Sequence, residues 1–278
     1  MKIDIYTFIT RNSTDYAEFL QKTAIAMSSG NHDLRWKYIK SNYVGKGPDG
    51  WTCVGSSPNL GHNSYNHAEA MQSALVNLIN TEMPDIAIFI DADTAVLYPN
   101  WDEIVCKRIK DKCVCFGGDY GQAKHKYKNF PTVYMFAFNP KIAPILNFYP
   151  ALVDGKESVL KSKIKTKDLA NVVGLPVGSL FKQDTGWALP CIIKNAGYSG
   201  YAMPRVLCGN GGEQLPYKNG NMRDLCIQKP EHMCEWHYKG KAFFTHKQAS
   251  RNHPLNESVG AIWKWRIEKY FEEKGVAL

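Results

Sequence analysis

The segment Asp85–Ile90 constrains the fold of this chain more than any other. After its acidic first residue it is continuously apolar, Ile-Ala-Ile-Phe-Ile, and the carboxylates of Asp91 and Asp93 follow at once. An apolar run of this length without alternation is typical of a strand that is buried on both faces, and such strands belong to mainly parallel sheets. The segment therefore predicts a strand inside an open α/β sheet with helices on both faces.

The flanking segments predict the other elements that such a sheet needs. Lys2–Ile9 and Leu34–Ile39 predict strands, and the spacing of apolar residues predicts helices after Ser13 and over His67–Leu78. Between the second strand and the second helix, the Gly/Pro/Asn/Ser-rich stretch Asn42–Ser64 predicts a long loop. The first hundred residues thus have the order β-α-β-loop-α-β.

Shorter patterns continue this arrangement in the rest of the chain. They predict strands at Val114–Phe116, Tyr134–Phe138 and Ala242–Thr245. They also predict helices at Pro140–Phe148, Asp184–Ala196 and Pro254–Glu273.

Composition limits the classes of protein to which the chain can belong. With 44% hydrophobic and 22% charged residues, it has the composition of a globular protein and not of a disordered chain. No apolar run approaches the roughly 20 residues of a membrane span, and the N-terminal sequence MKIDIYTFIT is typical of a strand and not of a signal peptide. We therefore expect a cytoplasmic protein. Its net charge of +8 suits an anionic partner such as nucleic acid, although a solvated basic face is the simpler interpretation.

The eight cysteines are expected to be reduced in such a protein. Cys208, Cys226, Cys234 and His237 have the side chains of a zinc site but not its spacing, because they include no close Cys-x-x-Cys pair. We interpret these cysteines as buried thiols and not as metal ligands.

Asp91 and Asp93 have the chemistry and the position of a divalent-metal site. They stand where the predicted strand ends, and in an open parallel sheet ligands bind at this edge. Alternation along extended backbone turns the two carboxylates in a similar direction, and two hard oxygen donors suit Mg²⁺ or Mn²⁺ that bridges to a diphosphate. A departing nucleoside diphosphate needs its developing charge neutralised, and a divalent ion does this. The alternative interpretation is a solvated turn with a capping aspartate.

The sequence around these carboxylates resembles a known enzyme family. The stretch IFIDADTAVLYPNWDEI, from Ile88 to Ile104, is similar to the signature of GT-A glycosyltransferases, especially the family 2-like members, including the proline and the helix that follow the carboxylates. The resemblance implies a Rossmann-like GT-A fold of class α/β, with a mixed, mainly parallel sheet, helices on both faces and a C-terminal helical extension. It implies one catalytic domain over residues 1–278, with a nucleotide-sugar-binding half at 1–100, an acceptor-side half at 101–253 and the C-terminal helix at 254–278.

The resemblance also implies which residues lie near the donor, a UDP- or GDP-sugar. In that family the first strand and its loop contact the nucleoside. In this chain the basic side chains of Lys247 and Arg251 can hold the diphosphate through charge-assisted hydrogen bonds, with ordinary surface charges as the alternative. The donor-binding residues implied in this way are Thr7, Phe8, Thr10, Arg11, Asp91, Ala92 and Arg251.

A metal site of three residues is implied in the same way. Many GT-A enzymes take a third ligand from a late histidine, which corresponds here to His246, so that Asp91, Asp93 and His246 would hold Mn²⁺ or Mg²⁺. Of the two carboxylates, we expect Asp93 to be the direct ligand and Asp91 to lie nearer the ribose or a metal-bound water. His237 and His253 are alternatives to His246.

The stretch KQDTGWALPCIIKNAGY resembles the acceptor-side helix of the same family. It places Asp184 where inverting members carry the catalytic base, which takes a proton from the acceptor hydroxyl. Gln183 departs from the acid often found there, and a helix cap is the alternative role for Asp184. Trp187, three positions after Asp184, is the residue that we expect to stack on the acceptor sugar.

Together these features predict a metal-dependent glycosyltransferase, a hexosyl- or pentosyltransferase that moves a sugar from a UDP- or GDP-sugar to a hydroxyl of a glycan, with inversion. One alternative is transfer to a modified DNA base, and another is a non-catalytic protein of the same fold that binds carbohydrate or nucleic acid. A sugar nucleotidyltransferase would carry a Gly-rich basic loop after the first strand, where this chain has Thr10–Ser13. The chain also resembles virus-encoded glycosyltransferases that build capsid glycans.

Overall fold

The apolar segment Ile86–Ile90 is the middle strand of a large sheet. The structure, a computed structural model, describes residues 1–58, 60, 63–119, 130–149, 151–152, 182–183, 185–210, 213–214, 233–247 and 256–278. Within these ranges the larger sheet has seven strands, in the spatial order β10 (Ser199–Met203), β6 (Cys113–Asp119), β7 (Pro131–Phe138), β4 (Ile86–Ile90), β1 (Lys2–Ile9), β2 (Asp33–Ser41) and β3 (Thr52–Ser57). Neighbouring strands are parallel except beside β7, which is antiparallel to β4 and β6. The predicted fold class, α/β with a mixed and mainly parallel sheet, is confirmed.

A second sheet, which the sequence patterns did not predict, lies beside the first. Among the described residues it has five strands, in the order β12 (Glu213–Gln214), β11 (Arg205–Asn210), β13 (Met233–Tyr238), β14 (Lys241–Lys247) and β5 (Thr94–Val96). Two short strands, β8 (Ala151–Leu152) and β9 (Lys182–Gln183), form a separate antiparallel pair. Because β5 follows β4 closely in the chain, the polypeptide passes from the larger sheet to the second one through Asp91–Asp93.

Helices cover both faces of the larger sheet. The described helices are α1 (Thr14–Ala26), α2 (Asn63–Asn80), α3 (Trp101–Arg108), a 3₁₀ helix (Pro140–Ile145), α4 (Leu189–Asn195) and the C-terminal α5 (Asn256–Glu273). Alternate residues of β4 enter two different cores: Ile86, Ile88 and Ile90 pack with α1, α3 and α5, whereas Ala87 and Phe89 pack with α2, the 3₁₀ helix and α4. A strand with apolar side chains on both faces needs this two-sided cover. No helix in the described ranges combines the length and apolar character of a membrane span.

Three predicted boundaries were wrong for physical reasons. The predicted loop Asn42–Ser64 contains β3 and the first residues of α2; β3 is an edge strand that pairs with β2 through its backbone, and its half-exposed sequence TCVGSS has no apolar alternation. The 3₁₀ helix ends at Ile145 and contains Pro144, so the predicted helix Pro140–Phe148 is shorter than expected. The helix predicted to begin at Asp184 begins at Leu189, because Gly186 adopts a φ of +76° in the preceding turn.

The larger sheet also buries one carboxylate, Asp4, in the middle of β1. The parallel register places Arg35 of β2 directly opposite Asp4, and its Nε lies 2.5 Å from Asp4 Oδ1. Lys37 Nζ lies 2.6 Å from Asp4 Oδ2. Asp4 is fully buried, and two cations from the neighbouring strand offset the cost of removing its charge from water. We refer to Asp4, Arg35 and Lys37 as the Asp4 cluster.

Candidate metal centre

Asp91–Asp93 lies at the carboxyl end of β4, where the chain leaves the larger sheet. The backbone N–H of Asp91 donates to Tyr134 O of β7 at 3.1 Å. The carbonyl of Asp93 accepts from the N–H of Lys247, at the end of β14, at 2.9 Å. Each sheet therefore holds one of the two aspartates through the backbone. Ala92 between them is buried, so the tripeptide turns its small side chain inward and its carboxylates outward.

The second sheet carries His246 to these carboxylates. In the antiparallel pairing of β14 with β5, His246 stands opposite Thr94, the residue after Asp93. Its Nε2 lies 3.1 Å from Asp93 Oδ1 and 3.4 Å from Asp91 Oδ2, and its ring lies against that of Tyr134 with a centroid distance of 4.4 Å. One donor atom from each of Asp91, Asp93 and His246 lies within 4.8 Å of the other two. The structure thus brings together the three residues predicted to hold the metal.

Charge and burial at this cluster oppose each other. Burial disfavours the charged forms of both Asp91 and His246, but the attraction between opposite charges in the cluster outweighs the effect of burial. For Asp91, the nearby imidazoles of His67 and His246 outweigh the effect of burial and hold the pKa well below its ordinary value. For His246, the carboxylates of Asp93 and Asp91 outweigh burial and raise the pKa to about 9. Without metal, the imidazolium therefore supplies part of the positive charge that the two carboxylates require.

The three side chains fit a divalent cation. Two carboxylates supply the hard oxygen donors that Mg²⁺ and Mn²⁺ prefer, whereas the imidazole nitrogen suits Mn²⁺ better than Mg²⁺. Asp91 is 17% exposed and Asp93 30% exposed in their side chains, so the cluster is open to one side. A cation bound here can keep positions for water or for a ligand.

His67 is a member of this site to which sequence reasoning assigned no role. It lies near the beginning of α2, and its Nε2 is 3.1 Å from Asp91 Oδ1. Its ring meets that of Phe8 edge to face at a centroid distance of 5.2 Å. The sequence does contain a signal for this position. His67 stands in the first turns of the helix that precedes the central strand, and such helices begin near the carboxyl edge of a parallel sheet.

The predicted donor residues of β1 and its loop lie at the same edge, next to β4. The Thr7 hydroxyl is buried and donates to Ile90 O at 3.2 Å, and the Phe8 ring packs on Phe89 and His67. The Thr10 N–H donates to Ser13 Oγ at 2.7 Å, which fixes the turn into α1, and Arg11 is exposed beside it. Thr7 and Phe8 therefore support the edge in this structure, whereas Arg11 remains accessible. Their contacts with a donor stay a prediction.

The acceptor-side residues are placed only in part. Trp187 lies in the turn before α4; it is 5% exposed, and its Nε1 donates to Tyr149 O at 3.1 Å. Its indole ring is thus packed inside the protein in this structure, and its role in acceptor binding stays a prediction. Asp184, Arg251 and the alternative ligand His253 lie outside the described residues.

Other groups of metal-binding side chains have different surroundings. Cys234 is buried in β13, and His237 contacts Glu235 of the same strand through its Nε2. The side chain of Cys208 and the whole of Cys226 lie outside the described part of the chain. In the ranges that the structure describes, Asp91, Asp93 and His246 form the group that satisfies the distances of a metal site.

A cavity of about 400 Å³ lies elsewhere, beside the opposite ends of β5 and β14. Its walls include Tyr98, Ala242 and Tyr270, with Lys241 and Lys274 among the residues that line it. None of the three metal-site residues lines this cavity.

Comparisons with known proteins give little help. No family profile matches the sequence, and no curated protein matches it. Among solved structures, the chain is similar to the mannosyltransferase PcManGT from Pyrobaculum calidifontis, determined in complex with GDP-Man and Mn²⁺, with 13% sequence identity and a TM-score of 0.38. The similarity covers 52% of this chain and 47% of that one, so the match spans less than half of the mannosyltransferase. A likeness of this size identifies neither the family nor the activity of the chain.

Proposed function

We propose that this protein is a divalent-metal-dependent glycosyltransferase of the GT-A class, which moves a sugar from a UDP- or GDP-sugar to a hydroxyl of a glycan acceptor. The observation that carries the proposal is the convergence of Asp91, Asp93 and His246 at the carboxyl edge of a mainly parallel sheet. Ligands of open α/β sheets bind at this edge, and the cluster supplies a cation site there.

The bound cation would neutralise the charge that develops on the diphosphate as it leaves the sugar. Asp91, Asp93 and His246 hold that cation, with Mn²⁺ preferred because one of the three donors is an imidazole. The backbone contacts of Asp91 to β7 and of Asp93 to β14 fix the main chain that carries the two carboxylates before any ligand arrives. Such preorganisation reduces the rearrangement that binding and reaction require.

Transfer needs a base as well as a metal. In the proposed reaction the acceptor oxygen bonds to the anomeric carbon, the bond from that carbon to the diphosphate breaks, and the acceptor proton passes to the Asp184 carboxylate. A single displacement of this kind inverts the anomeric configuration. Arg251 would pair with the diphosphate, and Arg11 of the β1 loop, which is exposed, would contact the nucleoside side of the donor.

A panel of UDP- and GDP-sugars tests the donor half of the proposal. With Mn²⁺ present, at least one member should raise the melting temperature of the wild-type protein and should be hydrolysed slowly when no acceptor is added. Asp93→Ala should abolish both effects, because it removes a metal ligand. Asp85→Ala is the matched control, since Asp85 is an exposed aspartate at the other end of the same strand.

The same panel separates the competing functions. A wild-type protein that no nucleotide sugar stabilises in the presence of Mn²⁺ would contradict the proposal. Stabilisation without any turnover, even with glycan acceptors, would favour the non-catalytic binding protein. Tight, salt-dependent binding to DNA would favour the modified-base acceptor. Asp184→Asn should abolish transfer while leaving donor binding almost intact, and an active Asp184→Asn enzyme would remove Asp184 as the base.

A further inference from the structure

The two oxygens of the Asp91 carboxylate have different partners. Oδ2 faces the metal-site imidazole of His246 at 3.4 Å, whereas Oδ1 faces His67 Nε2 at 3.1 Å. These partners come from different parts of the fold, since His246 belongs to the second sheet and His67 to helix α2 on the larger sheet. Asp91 therefore lies between two histidines, each directed to one of its oxygens.

The His67 ring is held in this orientation by packing. It meets the Phe8 ring edge to face, and Phe8 in turn packs on Phe89 of the central strand. Phe8 is 6% exposed and Phe89 is fully buried, so the surface against which His67 packs belongs to the rigid core. A ring supported in this way stays close to the carboxylate.

The position of His67 distinguishes it from a metal ligand. Asp91, Asp93 and His246 each offer a donor atom within 4.8 Å of the others, and His67 does not belong to that group among the described residues. Its Nε2 lies 3.1 Å from Asp91 Oδ1, which is an ion-pair distance, although the ring nitrogen does not meet the geometry of a hydrogen bond there. Side chains that contact a metal ligand without contacting the metal itself orient that ligand and affect metal affinity strongly.

We propose that His67 is a positioning residue that occupies Asp91 Oδ1, so that Asp91 binds the metal through Oδ2 alone. This inference rests on the proposed metal site and deepens it. Asp93 differs from Asp91 because its side chain is more exposed, at 30% against 17%, and His246 contacts its Oδ1 at 3.1 Å. In the assembled site Asp91 would then contribute one oxygen, and Asp93 would be the more accessible of the two carboxylates.

Direct measurement of Mn²⁺ affinity, without a nucleotide sugar, tests the inference independently of activity. His67→Phe keeps an aromatic ring against Phe8 but removes the N–H, and it should weaken Mn²⁺ binding by about 10- to 100-fold. His67→Gln retains an N–H donor at a similar reach and should recover most of that loss. Calorimetric titration with MnCl₂, or electron paramagnetic resonance of the free ion, gives the dissociation constants.

A double-mutant cycle shows whether His67 acts through Asp91. In an Asp91→Asn background, His67→Phe should have almost no further effect on the Mn²⁺ dissociation constant, because the carboxylate that His67 orients is gone. An equal loss in both backgrounds would identify His67 as a direct ligand and would overturn the inference. Wild-type affinity in His67→Phe would overturn it as well.

Two further comparisons keep the outcome clear. If the His67→Phe chain does not fold, His67→Asn is compared with His67→Gln instead. The asparagine amide is one methylene shorter than the glutamine amide, so the two variants differ in their reach toward Asp91. Equal Mn²⁺ affinity of His67→Asn and His67→Gln would then contradict the inference. If folded wild-type protein binds no Mn²⁺ at all, the proposed function fails together with its metal site. If the wild type binds Mn²⁺, Asp93→Ala does not and His67→Phe is unaffected, only the role of His67 fails.

Discussion

The larger sheet and its carboxyl edge each hold a cluster of buried charges, and the two clusters are built differently. Asp4, in the middle of β1, is paired with Arg35 at 2.5 Å and Lys37 at 2.6 Å. Asp91 and Asp93, at the end of β4, face the imidazoles of His67 and His246 at distances of 3.1 to 3.4 Å. In these contacts Asp4 is paired with a guanidinium and an ammonium, whereas Asp91 and Asp93 are paired with imidazoles, whose nitrogens can lose a proton and bind a metal.

This difference indicates which cluster can exchange its cation. A guanidinium or an ammonium cannot itself become a metal ligand while it is charged, and each oxygen of Asp4 already accepts from one of these cations. An imidazolium can release its proton and become a metal ligand with the same nitrogen. The Asp4 cluster is therefore a structural group of ion pairs, whereas the cluster at Asp91 and Asp93 is the one that could exchange a proton for the proposed metal ion.

The largest expected effect comes from making the second cluster resemble the first. His246→Lys places an ammonium between Asp91 and Asp93, so the protein should fold but should neither bind Mn²⁺ nor process a nucleotide sugar. Without the metal ion the transition state loses several kcal/mol of electrostatic stabilisation, which corresponds to a decrease in activity of about 1,000-fold. Calorimetry and a nucleotide-release assay measure the two effects. Lys37→His, the reverse exchange in the Asp4 cluster, is the control and should leave Mn²⁺ affinity unchanged.

A smaller effect should follow from breaking the Asp4 cluster. Asp4→Asn leaves Arg35 and Lys37 without their carboxylate. The side chains of these two residues are 26% and 14% exposed, so contact with water offsets part of the cost of leaving their charges unpaired. We expect the free energy of unfolding to fall by about 3 kcal/mol, the lower end for a broken buried ion pair. Urea denaturation measures this loss. The Mn²⁺ dissociation constant should stay within about twofold of the wild-type value, because the two clusters share no residue; a large loss of Mn²⁺ binding would show that they are coupled.

The smallest of the three effects is a pH dependence that the second cluster should produce. Burial alone would lower the pKa of His246, but Asp93 and Asp91 raise it from 6.5 to about 9. Folded protein therefore binds this proton more tightly than unfolded protein, so the stabilisation is complete below pH 6.5 and is lost as the pH rises through about 9. In EDTA the loss should be on the order of 2 kcal/mol, measured as a falling melting temperature.

Two additions identify the source of this pH dependence. In His246→Asn the melting temperature should change little over the same pH range, because the titrating group is absent. With saturating Mn²⁺ the trend should reverse, since the metal binds the neutral imidazole and deprotonation then favours binding. Equal pH profiles for the wild type and His246→Asn would show that another group is responsible.

The part of the fold that could be predicted is the part encoded by local patterns. Ile86–Ile90 predicted a central strand from its apolar character alone, and the structure has that strand in the middle of the larger sheet. The helical spacing in α1, α2 and α5 also agrees with the structure. These elements could be identified because each shows its buried surface within a few residues of sequence.

The remaining features depend on contacts between distant segments. Strand β5 has three residues, and only its pairing with β14 makes it a strand. The ion pairs of Asp4 depend on the register of β1 with β2, and the contact of His67 with Asp91 depends on how α2 lies over the sheet. His246 was identified through family resemblance and not through any local pattern. Such contacts leave no periodic signal in either partner.

The pairing of β14 with β5 has a consequence for the order in which the molecule assembles. Asp91 and Asp93 are near each other in the chain, but His246 reaches them only after a long intervening stretch has closed into a loop. The complete cluster must therefore form late in folding, and a metal ion can do little to accelerate the earlier steps. A metal ion bound as proposed would join the end of β4 to the end of β14 and oppose their separation, so we expect it to lower the rate at which the native protein opens.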